Sequence, residues 1–154
     1  MTSEKSTERQ ISTTHVVKGE DLNHHETLYG GRCVEWSVET AYITAANCFD
    51  EATRVAFMSI RNLSIRSPAR VGDVLCFTGR IDYVGESTIG VRVDGRKLHP
   101  RSEQQSVVTG TFLFCTVDER GKAEPHGLPA ALPESNSARD RWAQAEKAAS
   151  QDPA

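Results

Sequence analysis

The chain has 154 residues, enough for one domain with a substantial core. Its 38% hydrophobic and 25% charged content is that of an ordinary globular protein, and a net charge of −3 offers no basic field to nucleic acid or an anionic membrane surface. No apolar run approaches the roughly eighteen residues of a membrane span, and the polar start MTSEKSTERQ lacks the apolar segment of a secretory signal, so the expectation is a cytoplasmic protein without a membrane partner.

Residues 1–10 read as a disordered arm, and ISTTHVV (11–17), rich in β-branched residues, as a first strand. A long helix is predicted from about Gly31 to Phe49. Val34, Val38, Ala41, Ala45 and Cys48 follow the spacing of one face, widened by Tyr42 and Phe49. Trp36 and Ile43 fall outside that stripe, so the helix is apolar around most of its circumference, which predicts burial. RVAFMSIRNLSI (54–65) reads as a strand whose alternation slips near Arg61, as at a bulge. Leu75, Phe77, Ile81 and Tyr83, then Ile89, Val91 and Val93, recur with a period of two on either side of VGES (84–87), which predicts a hairpin. After the loop LHPRSEQQ, the strand SVVTGTFLFCTVD (106–118) is apolar on both faces and belongs in the middle of a sheet. DERGK (118–122) ends the sheet. A proline-rich link (Pro125, Pro129, Pro133) then leads to a polar helix around 137–149, opened by Ser137 and Asp140 in the manner of a capping box.

The domain therefore spans 11–128, with 129–154 a link and C-terminal helix or tail. One buried helix and a run of strands, with no second helical layer, predict an α+β fold in which a curved antiparallel sheet wraps around the helix. Cys33, Cys48, Cys76 and Cys115 stand singly with no CxxC pair, and read as small buried hydrophobes in a reducing compartment. His24 and His25 lack a third ligand at metal spacing, so no metal is expected.

The segment D-L-N-H-H-E-T-L-Y-G-G-R-C-V-E-W (21–36), the loop S-P-A-R-V-G-D (67–73) and the turn V-G-E-S-T (84–88) together resemble the hot-dog-fold acyl-CoA thioesterases. More narrowly, the first segment is similar to the N-x-x-x-T-L-F-G-G-x-x-x-x-W motif of the acyl-CoA hydrolase branch. The resemblance covers roughly residues 11–128. It implies a homodimer whose sheets join edge to edge, commonly assembled into a hexamer as a trimer of dimers. It also implies an acyl-CoA or acyl-carrier-protein thioester bound at the dimer interface. Coenzyme A is then part of the substrate, and no further cofactor is expected.

A thioester carbonyl under attack gathers negative charge on oxygen. Gly30-Gly31 leads into a helix N-terminus, where backbone N–H groups are unpaired and the helix dipole is positive. The glycines would let a carbonyl approach closely. By the resemblance, the Gly31 amide is the oxyanion donor, and Asn23 positions the carbonyl or the attacking water. Otherwise Asn23 is a loop or cap residue. His24, and less directly His25, could serve as general base at neutral pH, or be surface histidines.

The chain departs from the family on the central helix. The family carries an aspartate eight residues after the first glycine, as general base or nucleophile, and here that position is Val38 in the run Trp36-Ser37-Val38-Glu39. Glu39 lies about 100° further around the helix, so it does not simply replace the lost carboxylate. It remains a catalytic candidate beside the alternative of a solvated face shared with Glu35. Gly30 and Val38 would line the substrate. For coenzyme A, Gly85, Ser87 and Thr88 match the family's hairpin, and Arg66, Arg70, Arg96 and Lys97 are candidate phosphate contacts, or else solvated surface charges. Two readings follow. The first is a hydrolase in which water attacks the thioester carbonyl held by Asn23 and the Gly31 amide. The second is a catalytically altered hot-dog protein that binds acyl thioesters or runs another reaction on them. The His-Asp pair of the related dehydratases is absent from the sequence.

Overall fold

The computed structural model describes residues 10–49, 54–99 and 104–128; the predicted arm up to residue 9 and the predicted helix at 137–149 lie outside these. In chain order the elements are β1 (Gln10–Val16), a 3₁₀ turn (Gly19–Asp21), α1 (Gly30–Ala46), β2 (Val55–Ile65), β3 (Val74–Val84), β4 (Thr88–Lys97) and β5 (Ser106–Thr116). The strands form one sheet in the order β1-β3-β4-β5-β2, with every neighbouring pair antiparallel. The α+β hot-dog arrangement is thus present, and β1 begins one residue earlier than its sequence suggests.

Each strand follows from its alternation. In β3, Leu75 and Phe77 are fully buried while Cys76 and Thr78 face the other way. The register carries this inner set across the sheet through Phe77–Gly95–Val108 and Ile81–Val91–Phe112. β5 lies between β4 and β2 and is buried along most of its length, as its two apolar faces require. Phe77, Phe112 and Phe114 are the largest fully buried side chains. Truncating any of them would cost about 3–5 kcal/mol. The irregularity near Arg61 is real: the β2–β5 register shifts between Arg61 and Ser64, where Asn62 sits at φ 51 in the left-handed region that asparagine tolerates. A second shift falls between Phe57 and Ser59.

The helix differs from its sequence reading in three respects. It ends at Ala46 rather than Phe49, with Asn47 as its cap. Its core face is Cys33, Trp36, Ser37, Thr40, Ala41, Thr44, Ala45 and Ala46, so only Ala41 and Ala45 of the expected stripe are fully buried, and Trp36 lies inside. Nor is it enclosed all round, since Gly31, Glu35, Glu39 and Ile43, four residues apart, form an exposed ridge. The reason is hydrogen bonding. The hydroxyls of Ser37, Thr40 and Thr44 donate to the carbonyls of Cys33, Trp36 and Thr40 at 2.7–2.8 Å, so these small polar side chains enter the core satisfied. Small residues then let the helix approach the sheet closely: a Cβ on Gly79 of β3 would collide with Thr44 Oγ1.

Candidate active site

The stretch before α1 is a closed loop built on Asn23. Its side-chain oxygen accepts N–H bonds from His25 (2.9 Å) and Thr27 (3.2 Å) and the Thr27 hydroxyl (3.3 Å). A backbone bond from Asn23 N–H to Thr27 O and a Leu22–Leu28 bridge close the loop. Asn23 thus has the local turn role that short polar side chains fill, and its half-buried amide NH₂ is left to donate. His24 and His25 point outward, their rings tilted against each other with centroids 3.9 Å apart.

Tyr29 caps α1 in an extended conformation and makes no side-chain cap bond. The first helical bond runs from Cys33 N–H to Tyr29 O (3.1 Å), which leaves the amides of Gly30, Gly31 and Arg32 at the open end of the helix. Gly30 lies against β2, where an added Cβ would be 3.5 Å from Ile65 Cδ1. Gly31 is exposed, and a Cβ there would run into the Tyr29 ring. The Tyr29 lid is a feature that motif reading missed; its only sequence signal is an aromatic directly before the glycine pair.

Beneath the same helix end sits an ion-pair cluster that sequence reading also missed. Asp21, only 4% exposed, accepts the Lys18 N–H (2.9 Å) and pairs with Arg32 Nε (3.2 Å), while Arg32 also reaches Glu35 (3.1 Å). Two clefts flank Arg32. One, of about 280 Å³, is lined by Asp21, Tyr29, Gly31, Arg32 and Glu35 among others. The other, about 390 Å³, lies toward β1 and includes His15 and Trp36, which stack 4.5 Å apart. The smaller cleft is the one that holds exposed Gly31 at the start of the helix.

Val38 is half-buried and packs against the core. Glu39 stands on the exposed ridge, one turn beyond Glu35. Cys33, buried just inside the helix start, has its thiol pushed up to about 11 by burial. Among the described residues, no three His, Cys, Asp or Glu side chains gather as a metal site, and no helix is long and apolar enough to cross a membrane.

The predicted coenzyme A contacts fall into separate groups. Gly85, Ser87 and Thr88 form the β3–β4 turn, near the C-terminal end of α1, where His126 bonds Glu86 and its ring approaches Phe49. Arg66 and Arg70 lie at the other end of the sheet, beside the helix N-terminus, where Leu28 N–H bonds Ala69 O. β3 spans these ends, and its 11 residues are about 33 Å long. Within one chain the structure therefore does not bring the hairpin to Gly31. Arg96 and Lys97 are also divided: adjacent in a strand, they face opposite sides, Lys97 opposite Leu75 on the helix side and Arg96 opposite Cys76 on the outer face. Lys97 pairs with Asp73 at 3.3 Å.

Residues 25–103, just over half of the chain, match the sequence model of the thioesterase superfamily. An uncharacterised acyl-CoA thioester hydrolase of Bacillus subtilis is 29% identical over 129 residues, covering 83% of this chain and 73% of that protein. Another from Haemophilus influenzae is 28% identical over 109 residues, covering 67% and 68%. Among solved structures, an apo hexameric acyl-CoA thioesterase superposes with a TM-score of 0.78 at 25% identity, covering 94% of this chain and 96% of the other. A Staphylococcus aureus acyl-CoA hydrolase in complex with butyryl coenzyme A, coenzyme A and coenzyme A disulfide superposes with a TM-score of 0.72 at 23% identity, covering 94% and 84%, a likeness of fold. With the sheet, the central helix and the glycine-led helix start in place, the match over residues 25–103 makes this chain a member of the thioesterase superfamily.

Proposed function

We propose that the chain hydrolyses an acyl thioester, carried on coenzyme A or on an acyl-carrier protein, by attack of water on the thioester carbonyl. The observation that carries this reading is the uncapped start of α1, where Gly31, with no side chain of its own, lines a cleft beside the Tyr29 ring. The Gly31 N–H would donate to the oxyanion, and one such donor is typically worth about 10²–10³ in rate. The Asn23 NH₂ would orient the carbonyl or the water. Glu39 and His24 remain the candidate bases, and both are exposed on this one chain, so either would act only where a second copy or the substrate itself closes the site over it.

Because the hairpin lies far from Gly31 in one chain, Gly85, Ser87 and Thr88 of one copy would serve the helix N-terminus of another, with Arg66 and Arg70 on the phosphates. This makes the homodimer, or a hexamer of three dimers, the working unit. The hexameric relative supports that reading.

Val38 favours a second reading, in which the protein binds acyl thioesters, or transforms them, without ordinary hydrolysis. A screen of short- to long-chain acyl-CoAs for thiol release, with coenzyme A binding measured alongside, separates the two. Release from any chain length supports the hydrolase. Binding without release from the whole panel overturns it in favour of the second reading.

A further inference from the structure

The outer face of the sheet, away from α1, carries a row of arginines that the thioester site does not use. The register places Arg80 of β3 opposite Arg92 of β4, Arg92 opposite Thr111 of β5, and Thr111 opposite Arg61 of β2. All three arginines therefore lie on one line across the strands. Like charges directly opposite in an antiparallel pair are destabilising, so the Arg80–Arg92 juxtaposition is a cost to the fold. Within the chain Arg92 reaches Asp94 at 3.5 Å and Arg80 donates to the Gln10 side chain at 3.0 Å. Asp82, in the β3 irregularity, is the other acid beside the row. Arg61 makes no ion pair among the described residues, and its Nε is buried without a hydrogen-bond partner, as is the hydroxyl of Ser59 two residues before it. A buried guanidinium N–H left without an acceptor is a second, independent cost.

We infer that this row docks an acidic surface helix of a carrier protein that holds the acyl group as a thioester. The inference rests on the thioester reading above and selects its carrier. Spacing supports a helix. Arg80 and Arg92 are one strand apart, about 4.8 Å, and Arg61 is about 14 Å from Arg80. Carboxylates at i, i+3 and i+10 of a helix lie at about 4.5 and 15 Å along its axis, which matches both gaps. Arginine suits the task, since its planar fork takes a carboxylate by two hydrogen bonds. Coenzyme A does not fit, because its phosphates would have to cover four strands at once. Along β2 the end of the row, Arg61, lies four residues, about 13 Å, from Ile65, whose side chain is beside Gly30.

The test uses the full chain and a purified acidic acyl-carrier protein bearing a medium-length acyl group, titrated by fluorescence anisotropy at low and high salt. Acyl-CoA hydrolysis and light scattering are measured on the same samples. Saturable binding is expected, weakened roughly tenfold or more by salt and by the triple variant Arg61→Gln, Arg80→Gln, Arg92→Gln, with acyl-CoA turnover and assembly size unchanged. The exposed single variant Arg80→Glu should weaken binding in the same direction without touching the core. Absent binding, or equal binding by wild type and variants, overturns the docking proposal. So does a change of assembly size in the triple variant, which would make the row a contact between copies. Acyl-CoA hydrolysis without carrier binding sinks the docking proposal and leaves the hydrolase standing. Carrier binding with no hydrolysis of either thioester sinks the hydrolase and leaves the docking.

Discussion

At Gly31 the absence of a side chain has two consequences, because the space a Cβ would need is taken by the Tyr29 ring and the amide precedes the first helical bond, at Cys33 N–H. Gly31→Val should therefore lower thiol release by about 10²-fold or more while the protein stays folded, since the residue is exposed and Tyr29 can swing outward. Unchanged turnover with unchanged far-UV circular dichroism would show that the oxyanion lies elsewhere. Val38 allows the opposite experiment. If the site is a hydrolase that lost its base, Val38→Asp returns a carboxylate to the family's position and should raise thiol release at least about tenfold, at some cost in stability for a half-buried acid. The companion variant Glu39→Gln decides whether the acid has moved one position along the helix: abolished wild-type hydrolysis means yes, unaltered hydrolysis points to a histidine or the pocket alone. A folded Val38→Asp protein without gain, from an inert wild type, would remove the site from this helix flank. Cys33 gives a pH dependence. Its thiol is raised to about 11 in the fold, so the neutral form is favoured there, and its contribution to stability is complete below the ordinary thiol value and lost as pH climbs through 11. The gap in urea midpoint between wild type and Cys33→Ala should accordingly be constant up to about pH 8 and narrow above it. A gap that widens with pH would contradict the burial.

Among the elements, α1 and β3 are held together by small residues rather than by large apolar ones. Thr44 and Thr40 back-bond along the helix, Thr13 of β1 bonds Thr40 at 2.6 Å, and Gly79 leaves room for Thr44 against the sheet. Replacing Gly79 with valine should therefore destabilise the protein by about 1–3 kcal/mol through overpacking. Thr44→Ala should return part of that loss in the double variant, measured as non-additive shifts in a denaturant titration. Purely additive effects would mean that the two side chains do not meet.

For the whole molecule, the two edges of the sheet are unlike. β1 is short, whereas β2 is long and shows exposed Phe57, Met58 and Ile65. A long apolar edge invites pairing with another chain, so the protein should be a dimer or a larger assembly at micromolar concentration. Light scattering that returned a stable, fully folded monomer would exclude the shared site. Phe57→Lys together with Ile65→Lys should shift the population toward monomer and reduce thiol release in parallel, because the hairpin and the helix start would then be parted.

The order of elements, the central place of β5, the bulge near Arg61 and the glycine-led helix start were all readable from residues alone. Each rests on local chemistry: a period of two, apolar runs on both faces, a slip in alternation, two glycines before an apolar segment. The face of α1 was not readable. Serine and threonine count as polar in a sequence, and only back-bonding to carbonyls one turn earlier makes them core residues. Nor could spacing along the chain show that Arg96 and Lys97 face apart, that Arg61, Arg80 and Arg92 line up, or that the hairpin and Gly31 lie at opposite ends of the sheet. Those relations arise from strand register and from which end of the sheet each turn occupies, which the long-range pairing of the folded chain decides.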